Sequence, residues 1–317
     1  MSSVFHGIVP PMVTPLRAPD ELDVAGLEAL VEHVIRGGVH GLFILGTTGE
    51  APDLSHRLRR ELVDRVCRQV GGRLPVMVGI TDTSFVEAVN LAHYAADAGA
   101  SAVVTSAPYY FAPGQPELID FVNQLVRELP LPVFLYNMPQ MTKVQFEQET
   151  LRRVAGHEKI IGVKDSSGNL DYFQNLVEVA KIRPDWRLFI GPEHLLVDAL
   201  RLGGHGGVNG GGQVDPRLLV GLYEATLAGD LARVAVLQER LSKLGRIYSV
   251  GKHASTVIKG VKCALSLMGI CRDDMAPPFA AFNPPERERV RQVLEELGLL
   301  GGGRPAGALV SEGAPGS

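Results

Sequence analysis

The chain alternates short apolar runs with longer amphipathic ones. The short runs cover residues 7–13, 41–45, 75–80, 102–105, 132–136, 160–164, 187–190 and 206–208. They are β-branched or aliphatic and too short for helices. Their apolarity is continuous rather than alternating, which is what strands covered on both faces require. Helical patterns lie between them. Leu27, Leu30, Val31 and Val34 repeat at i, i+3, i+4 and i+7, with Asp23 as N-cap and Gly37-Gly38 as the stop. Leu58, Leu62, Val63 and Val66 form a second stripe closed by Gly71-Gly72. Ser84 and Glu87 make a capping-box pattern ahead of Ala88, Leu91, Ala92 and Ala95. Eight strand–helix units predict a (β/α)8 TIM barrel over residues 1–228. A doubly wound sheet is the alternative, but no G-x-G-x-x-G follows the first run. Residues 230–248, 253–267 and 285–297 read as three more helices, forming a C-terminal helical extension over 229–300. Residues 301–317, rich in Gly, Ala and Pro, are expected to form a flexible tail.

The 317 residues are 45% hydrophobic and 21% charged, enough apolar material for a large core and too much for a mainly disordered chain. Lys+Arg 31 against Asp+Glu 35 gives a net charge of -4 and no electrostatic footprint for nucleic acid or an anionic membrane. No apolar run reaches the ~20 residues that span a bilayer. Cys67, Cys263 and Cys271 stand far apart without a CxxC, unlike a disulfide scaffold or a zinc finger, and suit a reducing cytoplasm. Residues 1–6 carry no basic segment leading into an apolar one, so no signal peptide is expected.

Loops at the C-terminal ends of barrel strands share one face, and that face carries the chemistry. It collects Gly46-Thr47-Thr48-Gly49-Glu50, Pro108-Tyr109-Tyr110, Tyr136-Asn137-Met138-Pro139, Lys164-Asp165-Ser166-Ser167-Gly168, Gly191-Pro192-Glu193-His194 and Asn209-Gly210-Gly211-Gly212. Lys164 ends an otherwise apolar run. Alternation along the strand places Ile160, Gly162 and Lys164 on one face. Turned toward the helices, its charge would sit in hydrocarbon at high cost. Turned into the barrel mouth, near Tyr136, it would be partly desolvated and would hold some free amine near neutral pH. Such an amine attacks ketones to form a Schiff base. The bland reading is a structural ion pair with a neighbouring carboxylate. Tyr136 is either a proton shuttle for that lysine or a core aromatic with a wet hydroxyl. Thr47 and Thr48 are either a carboxylate cradle or a helix entry. The glycine-rich stretch 203–212 fits a phosphate cup, a close backbone approach to a flat substrate, or plain flexibility. There is no P-loop, no H-E-x-x-H and no H-x-H, so neither an NTPase nor a metal-dependent aldolase is supported. His194 and His205 read as surface or loop residues.

Gly46-Thr47-Thr48-Gly49-Glu50, Pro108-Tyr109-Tyr110, Tyr136-Asn137-Met138-Pro139 and Gly162-Val163-Lys164-Asp165, with Val13-Thr14-Pro15 and Gly203-Gly204-His205-Gly206, occur in an order that resembles the dihydrodipicolinate synthase/N-acetylneuraminate lyase family over roughly residues 5–300. The resemblance implies a class I, pyruvate-type aldolase or lyase on a (β/α)8 barrel, cytoplasmic, usually a dimer of dimers, with no metal or organic cofactor. Lys164 matches the Schiff-base lysine and Tyr136 the catalytic tyrosine. Thr47 and Thr48 match the carboxylate cradle, with Thr47 also in the proton relay. Tyr110 matches the tyrosine that a dimer partner inserts into the neighbouring site. Val208 falls where the family places a backbone carbonyl over the bound oxo acid. Ser166, Gly191 and Glu193 fall among the substrate-binding positions.

Members that make dihydrodipicolinate carry an arginine shortly after Tyr-Asn-x-Pro, and Met141 stands there in this chain. A thioether cannot make the bidentate contact, a loss of roughly 1.5–3 kcal/mol. The expected substrates are therefore sugar-derived or hydroxylated 2-oxo acids: N-acetylneuraminate, a 2-keto-3-deoxy sugar acid or 4-hydroxy-2-oxoglutarate. Ser166 stands where sialic-acid lyases carry a threonine, but Glu193-His194 replaces their Asp-Glu pair. The alternatives are 4-hydroxy-tetrahydrodipicolinate synthase, acting on pyruvate and aspartate semialdehyde, and a non-catalytic barrel that binds an oxo acid.

Overall fold

The structure is a computed structural model and describes residues 4–300. β1 (Gly7–Ile8) is followed by a hairpin of β2 (Leu16–Ala18) and β3 (Glu21–Leu22), then by α1 (Val24–Arg36). Strand and helix then alternate through β4 (Leu42–Ile44), α2 (His56–Val70), β5 (Val76–Gly79), α3 (Phe85–Asp97), β6 (Ala102–Ser106) and α4 (Gln115–Glu128). β7 (Val133–Asn137) leads through the single-turn α5 (Pro139–Thr142) and α6 (Gln148–Val154) into β8 (Ile160–Asp165). The cycle finishes with α7 (Leu170–Ala180), β9 (Arg187–Ile190), α8 (Leu196–Arg201), β10 (Gly206–Gly207) and α9 (Pro216–Leu227).

β1 lies beside β10, and the parallel order then runs down from β10 to β4. A parallel bridge between Pro11 and Phe43 joins the first and last members, with the Met12 N–H donating to the Phe43 carbonyl at 2.8 Å. The sheet thereby closes into the expected (β/α)8 barrel. Continuous apolarity is explained by two separate layers. Phe5, Val9, Phe43, Phe134, Tyr136, Phe189 and Val208 fill the interior, with edge-to-face ring pairs Phe5–Phe134 at 5.3 Å and Phe134–Phe189 at 5.7 Å. Leu27, Leu30, Val31 and Val34 pack outside the strands, as their spacing requires. Each such buried side chain contributes about 1.5–3 kcal/mol relative to exposure.

Asp23 caps α1 by accepting from the Gly26 N–H at 3.1 Å. The capping box expected at Ser84 and Glu87 is half formed. Ser84 accepts from the Glu87 N–H, but the Glu87 carboxylate turns to His56 at 3.0 Å. The hairpin β2–β3 escapes the hydrophobic pattern, because only Leu16 and Leu22 of its paired residues are buried apolar groups.

One alternation is corrected. The β7–β8 register pairs Val133 with Ile160 and then Phe134 with Gly162, leaving Ile161 as an extra residue. This bulge turns Ile161 into the barrel interior and Ile160 out toward the helices. Ile160 therefore does not share a face with Lys164. Gly162 is required there, since a Cβ would lie 2.0 Å from the Arg187 carbonyl oxygen and 2.7 Å from the Phe134 ring.

Beyond the barrel come α10 (Leu231–Gly245), α11 (Thr256–Leu267) and α12 (Pro284–Glu296). α10 packs on α9, and Arg240 pairs with Asp215 at 3.0 Å. The tail expected at 301–317 lies outside the described residues. Among the described residues, no helix is long and apolar enough to cross a membrane.

Candidate active site

β8 carries Lys164 to the C-terminal mouth of the barrel, in register with Tyr136 of β7. The side chain points inward and the residue is 5% exposed. Its Nζ lies 3.9 Å from the Tyr136 ring centroid and 4.8 Å from that of Phe43. Burial lowers the Lys164 pKa, and the adjacent Tyr136 only partly opposes this. Burial alone would raise the Tyr136 phenol. The Lys164 charge, with hydrogen bonding from Thr47 and Ser166, outweighs it and leaves that pKa below the ordinary value. The Thr47 hydroxyl stands 3.3 Å from the Tyr136 hydroxyl.

Thr47 and Thr48 are half-buried on the turn after β4. That turn is bracketed by two non-glycine residues in the left-handed region, Leu45 at φ 57° and Glu50 at φ 56°. Such conformations cost about 1–3 kcal/mol each and persist only where the surroundings impose them. Gly79 allows the close approach from β5, because a Cβ there would lie 2.0 Å from the Leu45 oxygen.

The ends of β7 and β8 are tied by a buried network behind Lys164. Asn137 Nδ2 donates to Asp165 Oδ1 at 2.8 Å, and Ser167 donates to the same carboxylate through both its N–H and its hydroxyl at 3.0 Å. The Ser166 N–H donates to the Asn137 carbonyl at 2.8 Å. Ser166 has room because residue 191 is glycine, where a Cβ would lie 2.0 Å from the Ser166 Oγ.

Glu193 is 7% exposed. Its Oε2 accepts from the Gly211 N–H at 2.7 Å, while its Oε1 has no hydrogen-bond partner among the described residues. Burial raises the Glu193 carboxyl to about 7, against the opposing pull of the Gly211 N–H and the Tyr248 hydroxyl. The Tyr248 hydroxyl is close enough to affect that titration but makes no hydrogen bond of acceptable geometry. Val208 belongs to the interior cluster with Tyr136, and its N–H donates to the Ile190 carbonyl at 2.9 Å. The glycines at 204, 206, 207 and 211 sit where the chain packs closely on itself. A Cβ at Gly207 would lie 1.8 Å from Asn209 Oδ1, and one at Gly211 would lie 2.8 Å from the Glu193 carboxylate. His194 is exposed, and His205 accepts the Leu188 N–H at 3.1 Å, a structural contact.

Lys164, Tyr136, Thr47 and Ser166 thus come together, with Val208 on the same interior wall. Tyr110 does not join them. It is 78% exposed at φ 78°, stacked edge-to-face on the 83% exposed Phe111. Met141 is 46% exposed on α5. Sequence reasoning assigned no role to Asn137, Asp165, Asn209, Tyr248, or a buried ion pair between Glu50 and Lys262. Lys262 left the same trace as Lys164, a lone charge within the apolar run 261–265.

A closed (β/α)8 barrel with a desolvated lysine and a phenol at its C-terminal mouth defines a class of carbonyl-handling enzymes. The chain belongs to the dihydrodipicolinate synthetase family, whose model matches residues 4–297, and it is a lyase. It is 31% identical to "Probable 2-dehydro-3-deoxy-D-pentonate aldolase YjhH" of Escherichia coli K12, over 93% of this chain and 98% of that one. A solved dihydrodipicolinate synthase from Bacteroides thetaiotaomicron is 52% identical, with a TM-score of 0.89, covering 92% of this chain and 98% of the other. YagE of Escherichia coli K12, a member of the same family solved in complex with pyruvate, is 28% identical with a TM-score of 0.88, covering 93% and 99%.

Proposed function

We propose that the chain is a Schiff-base-forming aldolase that cleaves or forms sugar-derived or hydroxylated 2-oxo acids through pyruvate bound to Lys164. The observation that carries this reading is the Lys164 amine, buried in the barrel mouth against Tyr136 and depressed in pKa. The free amine adds to the keto carbon, and loss of water leaves an iminium. In the cleavage direction the C3–C4 bond breaks and its electrons enter the iminium as an enamine. Tyr136, linked to Thr47, takes the proton of the C4 hydroxyl as the aldehyde leaves and returns it to the enamine carbon; water then adds to the resulting iminium, its oxygen becoming the keto oxygen of pyruvate and a proton from it passing to the departing amine. Thr47 and Thr48 hold the carboxylate, and the Val208 carbonyl lies over the bound acid. Ser166, Gly191 and Glu193 line the distal end. The unpartnered Glu193 Oε1 suits a substrate hydroxyl, since a buried acceptor left unpaired is costly. YagE, solved with pyruvate, and YjhH, a probable 2-dehydro-3-deoxy-D-pentonate aldolase, supply the pyruvate and the deoxy-sugar acid that this reading adopts. Neither a metal nor an organic cofactor is required. The reading places the enzyme in the cytoplasm as a dimer of dimers, with Tyr110 of one chain completing the proton relay in the next.

Incubation with pyruvate and borohydride should add one reduced pyruvate to Lys164, and Lys164→Ala should abolish both adduct and turnover. A pyruvate-release screen over 2-keto-3-deoxy sugar acids, N-acetylneuraminate and 4-hydroxy-2-oxoglutarate then selects the substrate. An unmodified protein under these conditions would overturn the proposal. The 52% identity to a synthase favours a second reading, condensation of pyruvate with aspartate semialdehyde. A high kcat/KM in that assay would decide for it and against the argument from Met141.

A further inference from the structure

We propose that Glu50 and Lys262 are positioning residues, a latch through which the C-terminal helices hold the Thr47–Thr48 turn in register with Tyr136. The inference rests on the aldolase reading for what the turn does, but on separate residues for how it is held. Glu50 and Lys262 are both fully buried at the side chain and pair at 2.5 Å. Lys262 Nζ also donates to the Asp274 carbonyl at 2.7 Å, and the Ala276 N–H donates to Glu50 Oε2 at 3.0 Å. Both carboxylate oxygens of Glu50 are therefore occupied by the C-terminal region.

The other end of the latch is the site. The Glu50 N–H donates to the Thr47 carbonyl at 3.1 Å, and Glu50 holds a left-handed conformation. Rotation of Glu50 toward an ordinary conformation would move Thr47 with it. The Thr47–Tyr136 hydroxyl contact, at 3.3 Å, is near the outer limit for such a bond and tolerates little displacement. The opposite side of the turn is pinned independently, by the Thr14 hydroxyl donating to the Gly49 carbonyl at 2.7 Å. A buried ion pair is a poor way to gain stability, since well-packed apolar residues often do as well. Its use here fits a demand for one geometry at the turn, joining helix α11 to a loop more than 200 residues earlier.

The test compares wild type, Lys262→Met and Glu50→Gln. Steady-state kinetics on the substrate selected above should show kcat lowered on the order of 10²-fold, as for a displaced catalytic group. KM for the oxo acid should rise, while borohydride still traps pyruvate on Lys164 at saturation. A merely structural role would lower kcat only in proportion to the folded fraction and leave KM unchanged, and that result overturns the proposal. Hydrogen exchange supplies a second readout that needs no activity and also works if only the milder Glu50→Gln folds. Amides 49–51 and 276 should exchange faster together, while 162–165 keep their protection. Unchanged exchange at 49–51 overturns the latch. If wild type traps no pyruvate, the aldolase reading fails, and exchange alone decides whether the latch exists.

Discussion

Replacing Glu193 by glutamine removes one titrating carboxyl while keeping an oxygen for the Gly211 N–H, and this isolates a single energetic quantity. In the folded chain the carboxyl titrates near pH 7, raised from its ordinary 4.5 chiefly by burial. Between those two values the native state retains a proton that the unfolded chain has released. Stability therefore falls as pH rises from about 4.5 to about 7 and is flat beyond. The difference corresponds to about 3 kcal/mol, given 1.36 kcal/mol per unit. Glutamine has no such dependence. The gap between Glu193→Gln and wild type should thus widen by about 3 kcal/mol from pH 5 to pH 8.5, in favour of the variant. For a chain of this length that is about 5 °C in Tm. Contributions from His33, His40 and His205 occur in both proteins and cancel in the difference. The assay is urea or thermal unfolding across that pH range at one protein concentration, because self-association would shift apparent stability. A constant gap would refute the reasoning, as it would mean a carboxylate ionised throughout. A gap narrowing with pH would mean that the charged form has a stabilising partner.

Tyr136→Phe should lower kcat by about 10²–10⁴-fold, the usual share of a positioned proton donor, while pyruvate still reduces onto Lys164. Because Tyr136 opposes the burial effect on Lys164, its removal should shift the pH profile of trapping to lower pH, and a shift upward would contradict the assignment. Gly162→Ala forces a Cβ against the Arg187 carbonyl and should cost about 3 kcal/mol or more in denaturant unfolding; a neutral result would mean that the bulge is not fixed. Met141→Arg, at an exposed position, should change stability by less than about 0.5 kcal/mol. It should raise kcat/KM for aspartate semialdehyde by about tenfold or more, as expected of a new charged contact; no gain would remove Met141 from the specificity argument.

What could be read from the chain, and what could not, follows from the range of each interaction. Runs such as 133–137 and the stripe Leu27–Leu30–Val31–Val34 state their burial locally, so the barrel and its helices are legible residue by residue. Lys164 is legible for the same reason, as a charge with no place in a wholly apolar run. The bulge at Ile161 is not, because it arises in the pairing with Val133 and Phe134, and nothing in 160–164 encodes a partner's register. The raised Glu193 carboxyl likewise comes from burial in the folded chain, against the opposing pull of Gly211 and Tyr248, 18 and 55 residues away. Lys262 lies between these cases. Its charge within 261–265 carries the signal that singled out Lys164, but a lysine on a helix outside the expected barrel offers no face on which to place it. Only when α11 is seen against the turn after β4 does the charge acquire a partner, and that partner's own left-handed backbone links the C-terminal helices to the turn that carries the Thr47–Tyr136 contact. A desolvated charge in an apolar run is thus a dependable sign that some group opposite compensates it, and the topology decides whether that group is a reacting centre or a hinge pin behind one.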